Sequence, residues 1–133
     1  MAINDEWLRQ LAAAKKLGPP LRTALHGPYS VTFQLPGDFT GATVDAQLRL
    51  YPETDGDPRV ALTDSLGAFA SGRTPLTLSL TEEQMEDADV IPEIQPGEGV
   101  VTLCYGILVT RSGGTKQLLC AGEFIVFGSV ANV

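Results

Sequence analysis

The sequence is poor in the residues from which most active sites are built. It has a single histidine, His26, and two cysteines, Cys104 and Cys120. It contains no G-x-S-x-G nucleophile motif, P-loop, dinucleotide-binding fingerprint or H-E-x-x-H zinc motif. Its carboxylates fall mostly in predicted loops, where nothing marks two of them as an acid–base pair. We therefore predict that the protein is not an enzyme and has no cofactor, catalytic residue or metal site.

Positive charge is missing from a long central stretch. No Lys or Arg lies between Arg73 and Arg111, although acidic residues crowd the segment 82–98, and the net charge of the chain is -7. Phosphate binding needs clustered cations, so we expect no direct nucleic acid partner. The acidic segment 82–98 is either a solvated loop that aids solubility, a cation site or a patch for a basic partner.

Long apolar runs are also lacking. No stretch of apolar residues is long enough for a membrane-spanning helix, so we expect no membrane partner. Charged residues interrupt the first 16 positions, which excludes the apolar core of a secretory signal. The sequence therefore predicts synthesis and assembly in the cytoplasm.

The most informative stretch is a β-hairpin near the C-terminus. Two apolar segments, 99–111 and 116–128, flank the polar turn Ser112-Gly113-Gly114-Thr115. Both segments are almost continuously hydrophobic, so we expect both faces of the hairpin to be covered over part of its length. The other segments of the chain must supply that cover.

The hairpin also predicts the state of the cysteines. If the turn is centred on Gly113-Gly114, the numbers of facing residues sum to 227, so Cys104 faces Glu123 and Cys120 faces Ile107. Side chains alternate between the two faces of a strand, so the cysteines lie on opposite faces and cannot form a disulfide.

Alternation and turn residues predict the remaining elements. Strands are expected at 29–34, 43–51, 59–63 and 76–80, and a capping box from Thr81 to Gln84 starts a short helix over 82–88. We predict a mainly β chain, with an antiparallel β-sandwich at 29–130 preceded by a unit at 1–28. Its core is expected to include Val44, Leu48, Leu50, Leu76, Leu78, Leu103, Tyr105, Ile107 and Phe124.

The unit 1–28 is predicted to be a helix over 4–17, ended by Gly18, and a Pro/Gly linker over 18–28. Ile3, Trp7 and Leu11 form an apolar stripe on this helix. They either cover one end of their own sandwich or pack on a neighbouring copy or another protein, and we treat them as candidate interface residues. Deleting 1–28 is expected to leave a folded sandwich but to lower its oligomeric state or abolish its attachment to a particle.

Three segments in order resemble a known family. They are Phe39-Thr-Gly-Ala-Thr-Val-Asp-Ala-Gln-Leu-Arg49, Leu76-Thr-Leu-Ser-Leu-Thr-Glu-Glu-Gln84, and the closing hairpin with Tyr105-Gly-Ile-Leu-Val109 and Leu118-Leu-Cys-Ala-Gly-Glu-Phe-Ile-Val126. They resemble immunoglobulin-like domains of phage tail and baseplate proteins, and are similar to the N-terminal domain of baseplate upper proteins. Gly106 stands where that family has an aspartate.

The resemblance implies an immunoglobulin-like fold and a structural role in a virion. We expect an adaptor in the tail, baseplate, fibre attachment or neck, with other virion proteins as partners and a homo-oligomer that is a trimer or hexamer. A capsid decoration protein is one alternative. A carbohydrate-binding β-sandwich is another, with Trp7, Tyr29, Tyr51 and Phe69 as the aromatic candidates. The short tail after the hairpin favours a small stand-alone component.

Overall fold

The computed structural model describes residues 5–24, 27–50, 59–87, 89–92 and 99–128. The chain is mainly β, with one helix before the strands and one between them, as the sequence predicts. The elements in chain order are α1 (Asp5–Ala13), β1 (Leu21–Ala24), β2 (Tyr29–Pro36), β3 (Thr43–Arg49), β4 (Val60–Ala61), β5 (Thr63–Leu66), β6 (Arg73–Leu80), α2 (Glu82–Glu86), β7 (Val100–Thr110) and β8 (Lys116–Phe127). No helix among these residues is long and apolar enough to cross a membrane.

The strands form two sheets that enclose one core. One sheet has the order β1-β8-β7-β3-β4 and the other has the order β2-β6-β5. Edge-to-face packing of Tyr29 on Phe124, with ring centroids 5.1 Å apart, joins β2 to β8 across the core. Alternate residues of both sheets point inward, which gives a sandwich-like arrangement.

The core takes in most of the residues that the sequence nominates. Eight of them are buried: Val44, Leu48, Leu76, Leu78, Leu103, Tyr105, Ile107 and Phe124. Leu50 is the exception, because it follows the last residue of β3 and is only partly buried against the cluster. Burial of alternate apolar side chains on β3, β6, β7 and β8 stabilises the packing of the two sheets.

Strand β1 departs from the predicted linker. The sequence assigns 18–28 to a Pro/Gly linker, but Leu21–Ala24 pairs in parallel with β8 and Leu21 is buried in the core. The sandwich is therefore not wholly antiparallel. Four residues that follow two prolines carry too weak a pattern to predict a strand, and only the pairing with β8 makes them one. The division of the chain at residue 28 stays a prediction.

The segment predicted as a single strand over 59–63 instead switches between sheets. Val60 and Ala61 pair with β3, whereas Thr63 to Leu66 pair with β6 in the other sheet. The crossing residue, Leu62, is buried, and its N–H donates to the Ala46 carbonyl over 2.8 Å. Strand β5 extends to Leu66, beyond the end of the predicted strand at residue 63.

The hairpin register agrees with the predicted sum of 227 along most of its length. Cys104 faces Glu123 and Cys120 faces Ile107. Next to the turn the register shifts, so that Leu108 faces Leu118 and Leu119 is the extra residue of a β-bulge. The turn is thus centred on Gly113 alone, where φ is 75°, and the bulge restores the register further along.

Helix α1 ends earlier than predicted. It stops at Ala13, and Lys15 takes a left-handed conformation with φ of 58°. The Lys16 N–H donates to the Leu11 carbonyl and the Lys15 N–H to the Ala12 carbonyl, which is the Schellman pattern of a helix C-terminus. Lys15, and not Gly18, therefore occupies the position that usually favours glycine.

Helix α2 begins with the predicted capping box. The Gln84 N–H donates to the Thr81 hydroxyl, and the Thr81 N–H donates to the Gln84 side chain over 2.9 Å. The helix covers Glu82–Glu86, shorter than the predicted 82–88, and it buries Met85 in the core.

Three loops meet at one end of the sandwich. The Gly37 N–H donates to the Gly72 carbonyl, and the Arg111 guanidinium lies 4.3 Å from the centre of the Phe39 ring. The buried Thr74 hydroxyl accepts from the Phe39 N–H over 3.2 Å and donates to the Gly37 carbonyl over 2.8 Å. One buried hydroxyl thus satisfies two backbone groups of the loop between β2 and β3.

Candidate functional site

Trp7 and Leu11, two of the three residues nominated as an interface, lie on the outer face of the five-stranded sheet. Gln47, Gly106 and Ala121 face one another on β3, β7 and β8, on the side opposite the core residues Leu48 and Tyr105. Trp7 of α1 borders the same surface and encloses with it a pocket of about 200 Å³. We call this space the Trp7 pocket. Its lining is Trp7, Gln47, Arg49, Cys104, Tyr105, Gly106, Leu108, Leu118 and Ala121.

The apolar stripe of α1 is directed at its own sheet. Leu11 is only 7% exposed and Trp7 is half-buried. Residues between them in the helix, Arg9 and Gln10, are exposed. Ile3, the third member of the stripe, lies outside the described residues. The part of α1 that the structure describes therefore covers this sheet with its apolar side and presents polar side chains outward.

Small residues of the hairpin shape the Trp7 pocket. Cys104, Gly106 and Ala121 line the pocket, and both Cys104 and Ala121 are buried. A Cβ atom placed on Gly106 would meet no heavy atom within 4 Å. The pocket thus exists partly because position 106 has no side chain. The helix also supplies the cover that the hydrophobic outer face of the hairpin requires.

Polar side chains along β3 form one wall of the pocket. Lys116 Nζ and Gln47 Nε2 both approach Asp45 Oδ2, at 3.2 Å and 3.1 Å. The Arg49 guanidinium donates to Gln47 Oε1 over 3.2 Å. The lining of the pocket therefore combines small residues of the hairpin with the amide of Gln47 and the guanidinium of Arg49.

The segment after α1 is attached to β8 and β7. The Ala121 N–H donates to the Lys16 carbonyl over 3.0 Å, and the Gly18 N–H donates to the Ala121 carbonyl over 2.9 Å. The Tyr105 hydroxyl donates to the Pro19 carbonyl over 2.8 Å. These three bonds attach residues 16–19 to the sheet, and only Ala14 and Lys15 lie between this segment and the last residue of α1.

Two glycines make room for the Tyr105 side chain. A Cβ atom on Gly122 would lie 2.9 Å from Tyr105 Cε2, and a Cβ atom on Gly18 would collide with Tyr105 Oη. Sequence reasoning nominated Tyr105 only as a core residue and did not find its bond to Pro19. The two glycines are the only signal for it in the sequence, and nothing local links them.

Both cysteines are free thiols and lie on opposite faces of the hairpin, as predicted. Burial raises the pKa of Cys104 to about 12, with a further increase from Glu123. Burial also raises the pKa of Cys120 to about 11. Neutral, buried thiols are poor nucleophiles, so these side chains act as small apolar groups.

Metal ligands are not gathered in the part of the chain that the structure describes. No group of three or more His, Cys, Asp or Glu residues there is placed to hold an ion. His26 and the Asp55-Gly56-Asp57 tip lie outside the described residues, as does much of the acidic segment 82–98. The described acidic residues of that segment, Glu82, Glu83, Glu86, Asp87 and Asp89, are exposed.

Comparison with known proteins adds no family. No family model matches the chain, and no curated protein matches it.

The sequence did not reveal Gln47 and Arg49 as members of the Trp7 pocket either. Outward positions of β3 acquire a role only because α1 covers that face.

Proposed function

We propose that this chain is a non-enzymatic structural component of a phage or prophage-derived particle. It would act as an adaptor in the tail, baseplate, fibre attachment or neck, built on an immunoglobulin-like sandwich. The proposal rests first on the three ordered segments that resemble phage tail and baseplate domains. Its structural support is the order of the strands.

The strand order is compatible with the immunoglobulin-like arrangement that the resemblance implies. In that fold, strands B, E and D lie in one sheet, and strands G, F, C and C′ lie in the other. Here β2-β6-β5 corresponds to B-E-D and β8-β7-β3-β4 corresponds to G-F-C-C′. Strand β1 adds a parallel edge beside β8. This correspondence is the structural observation that most favours the proposal.

The position of α1 decides which surface the helix can offer to a neighbouring protein. Because Trp7 and Leu11 face their own sheet, the docked helix offers a neighbour its polar side, whereas an undocked helix would offer the apolar stripe. The Trp7 pocket leaves part of the contact unfilled, which lowers the stability of the docked state relative to a close-packed one. Contact with a neighbouring copy or another virion protein through α1 remains part of the proposal.

The deletion that tests α1 should end before the attached segment. Removing 1–28 would also remove β1 and the buried Leu21, so the informative variant lacks residues 1–14. We expect it to stay folded but to form assemblies with fewer copies, as measured by light scattering, or to lose attachment to particles. An unchanged number of copies per assembly, together with unchanged attachment, would mean that α1 only covers its own sheet.

The virion role is tested independently of α1. Particles are purified from the source strain after prophage induction or infection, and the chain is sought in them by mass spectrometry and immuno-electron microscopy. Labelling at the tail or baseplate supports the adaptor, and labelling over the head would favour a capsid decoration protein. Particles without any trace of the chain would overturn the proposal.

A carbohydrate-binding role has less support. Sugar platforms need exposed aromatic rings. Trp7 is half-buried against its own sheet, and Tyr29 packs edge-on against Phe124. Phe69 is exposed, and Tyr51 lies outside the described residues. Binding on a glycan array would revive this alternative.

A further inference from the structure

We propose that β2 is an interaction edge that pairs with β2 of a second copy, joining the two three-stranded sheets into one sheet of six strands. This contact is separate from α1, which lies on the other sheet. Residues Tyr29, Val31 and Phe33 would be covered by it on the inner side. Ser30, Thr32 and Gln34 would supply its backbone hydrogen bonds.

Edge strands expose backbone groups that can pair with another chain, and proteins usually protect them with short length or charge. Among the edge strands in the described part of the chain, β4 has 2 residues, β1 has 4 with Arg22, and β5 has 4 with Asp64. Strand β2 has 8 residues and none is charged. It is the one edge here that lacks both short length and charge, and a proline protects it only at its last residue, Pro36.

The free backbone groups of β2 can be assigned from its neighbours. The Gly67 N–H donates to the Pro75 carbonyl, so the backbone groups of Pro75 point toward β5. Pro75 faces Gln34 on β2. Gln34 and Pro75 are therefore a non-hydrogen-bonded pair, in which the N–H and C=O groups of each residue point away from the other strand. The backbone groups of Gln34 thus point to the free edge. Those of Thr32 and Ser30 do the same, because this orientation recurs at every second residue of a strand.

Pro36 is two residues beyond Gln34, so its nitrogen also faces the free edge. Edge strands tolerate a proline there, because no hydrogen bond to β6 is lost. The Arg73 guanidinium already donates to the Gln34 carbonyl over 3.3 Å, but a carbonyl oxygen has a second lone pair for another donor. The row of edge groups therefore extends over the three alternate residues Ser30, Thr32 and Gln34.

The inner side chains of β2 are incompletely covered. Tyr29, Val31 and Phe33 are partly exposed, whereas the residues that face them on β6, Leu80, Leu78 and Leu76, are at most 2% exposed. β6 has a neighbouring strand on each side, whereas β2 has one on a single side only. A strand added beside β2 would bury this apolar surface, which favours association.

A second copy fits this edge because the sequence of β2 is self-complementary. Antiparallel pairing centred on Thr32 places Thr32 opposite Thr32, Ser30 opposite Gln34, and Val31 opposite Phe33. Polar residues then share the outer face and apolar residues share the inner face. Two copies of a chain with a net charge of -7 repel each other. This repulsion hinders contact least at a strand that carries no charge, as β2 does.

The contact has a two-fold axis, so it predicts an even-numbered assembly. Of the two assemblies implied by the resemblance, a hexamer can contain it and a trimer cannot. We expect the full-length protein to sediment as a dimer or hexamer in a concentration-dependent equilibrium.

The decisive variants are Thr32→Lys and Thr32→Glu, which place like charges opposite each other at the two-fold axis. Each alone should raise the dissociation constant at least about tenfold. An equimolar mixture should recover association, because Lys and Glu then face each other. Ser65→Lys is the matched control, since Ser65 is exposed in the same row of the sheet on the opposite edge. Circular dichroism melts establish that each variant is folded.

Amide exchange supplies a second readout. With rising concentration of the unmodified protein, the N–H groups of Ser30, Thr32 and Gln34 should gain protection, and those of Val31 and Phe33 should not change. A monomer at all soluble concentrations would overturn the proposal, and so would an oligomer that withstands Thr32→Lys. Loss of particle attachment on deletion of residues 1–14 with β2 pairing intact would separate this contact from the adaptor role.

Discussion

The hydroxyl of Tyr105 donates a hydrogen bond to the carbonyl of Pro19 over 2.8 Å, across 86 positions of the chain. The bond joins the central hairpin to the segment that connects α1 with β1. It explains why residues that read as a flexible linker are held against the sheet.

The fit between Tyr105 and Gly18 should appear as an energetic coupling. Tyr105→Phe removes one hydrogen bond and should cost about 1 kcal/mol. Gly18→Ala should cost about 1–3 kcal/mol, because its Cβ collides with Tyr105 Oη. When Tyr105→Phe is already present, the cost of Gly18→Ala should fall, which urea unfolding of the double-mutant cycle measures.

The control for this cycle is Gly106→Ala, because a Cβ there meets no atom within 4 Å. It should change stability by less than about 0.5 kcal/mol. Additive effects of Tyr105→Phe and Gly18→Ala would mean that the two residues are independent.

The Thr74 hydroxyl should be required for the loop between β2 and β3. Thr74→Val keeps the shape but leaves the Phe39 N–H and the Gly37 carbonyl without their partner, and should cost about 1–3 kcal/mol. Thr74→Ser retains both hydrogen bonds and loses one methyl group, at about 0.8 kcal/mol. A smaller loss for Val than for Ser in urea unfolding would refute the role of the hydroxyl.

Replacing Lys15 by glycine should stabilise the docked helix. Lys15 has φ of 58°, a conformation that costs an ordinary residue about 1–2 kcal/mol, and glycine adopts it freely. The greater flexibility of glycine in the unfolded chain offsets part of the gain, so we expect about 0.5–1 kcal/mol. Slower amide exchange in α1 is the readout. Lys15→Ala keeps the strain and should leave exchange almost unchanged.

Stability should decline at alkaline pH. Burial raises the pKa of Cys104 from 9.0 to about 12, of Cys120 from 9.0 to about 11, and of Tyr29 from 10.0 to about 12. The folded state holds these protons more tightly than the unfolded state does. The contribution of these groups to the free energy of unfolding is therefore complete below pH 9 and is lost as the pH rises toward 12. Urea unfolding at a series of pH values should show this decline.

Cys120→Ala should weaken the alkaline decline by removing one of the titrating groups. Thiol reagents offer an independent check, since the native protein should react slowly at neutral pH and the unfolded protein rapidly. Constant stability between about pH 9 and 11 would contradict the burial of these thiols.

Local patterns anticipated the elements whose signals lie close together in sequence. The capping box of Thr81 and Gln84, the alternation of β3 and β6, and the glycine-containing turn of the hairpin each depend on a few neighbouring residues. The pairing of Cys104 with Glu123 followed from the turn because register propagates along a ladder, although the bulge at Leu119 moved the centre of the turn to Gly113.

Tertiary contacts decided the rest. β1 is a strand only because β8 offers it an edge, and Leu62 crosses between sheets because each sheet has a strand for it to join. Lys15 ends α1 because the chain must turn there to reach Ala121. The sequence by itself determined which residues are apolar and at what period they recur, hence a mainly β chain with a helix before it. The docking of Trp7 on its own sheet, the bond from Tyr105 to Pro19 and the open edge of β2 depend on residues far apart in the chain, and only the packed structure brings them into contact or leaves them without it.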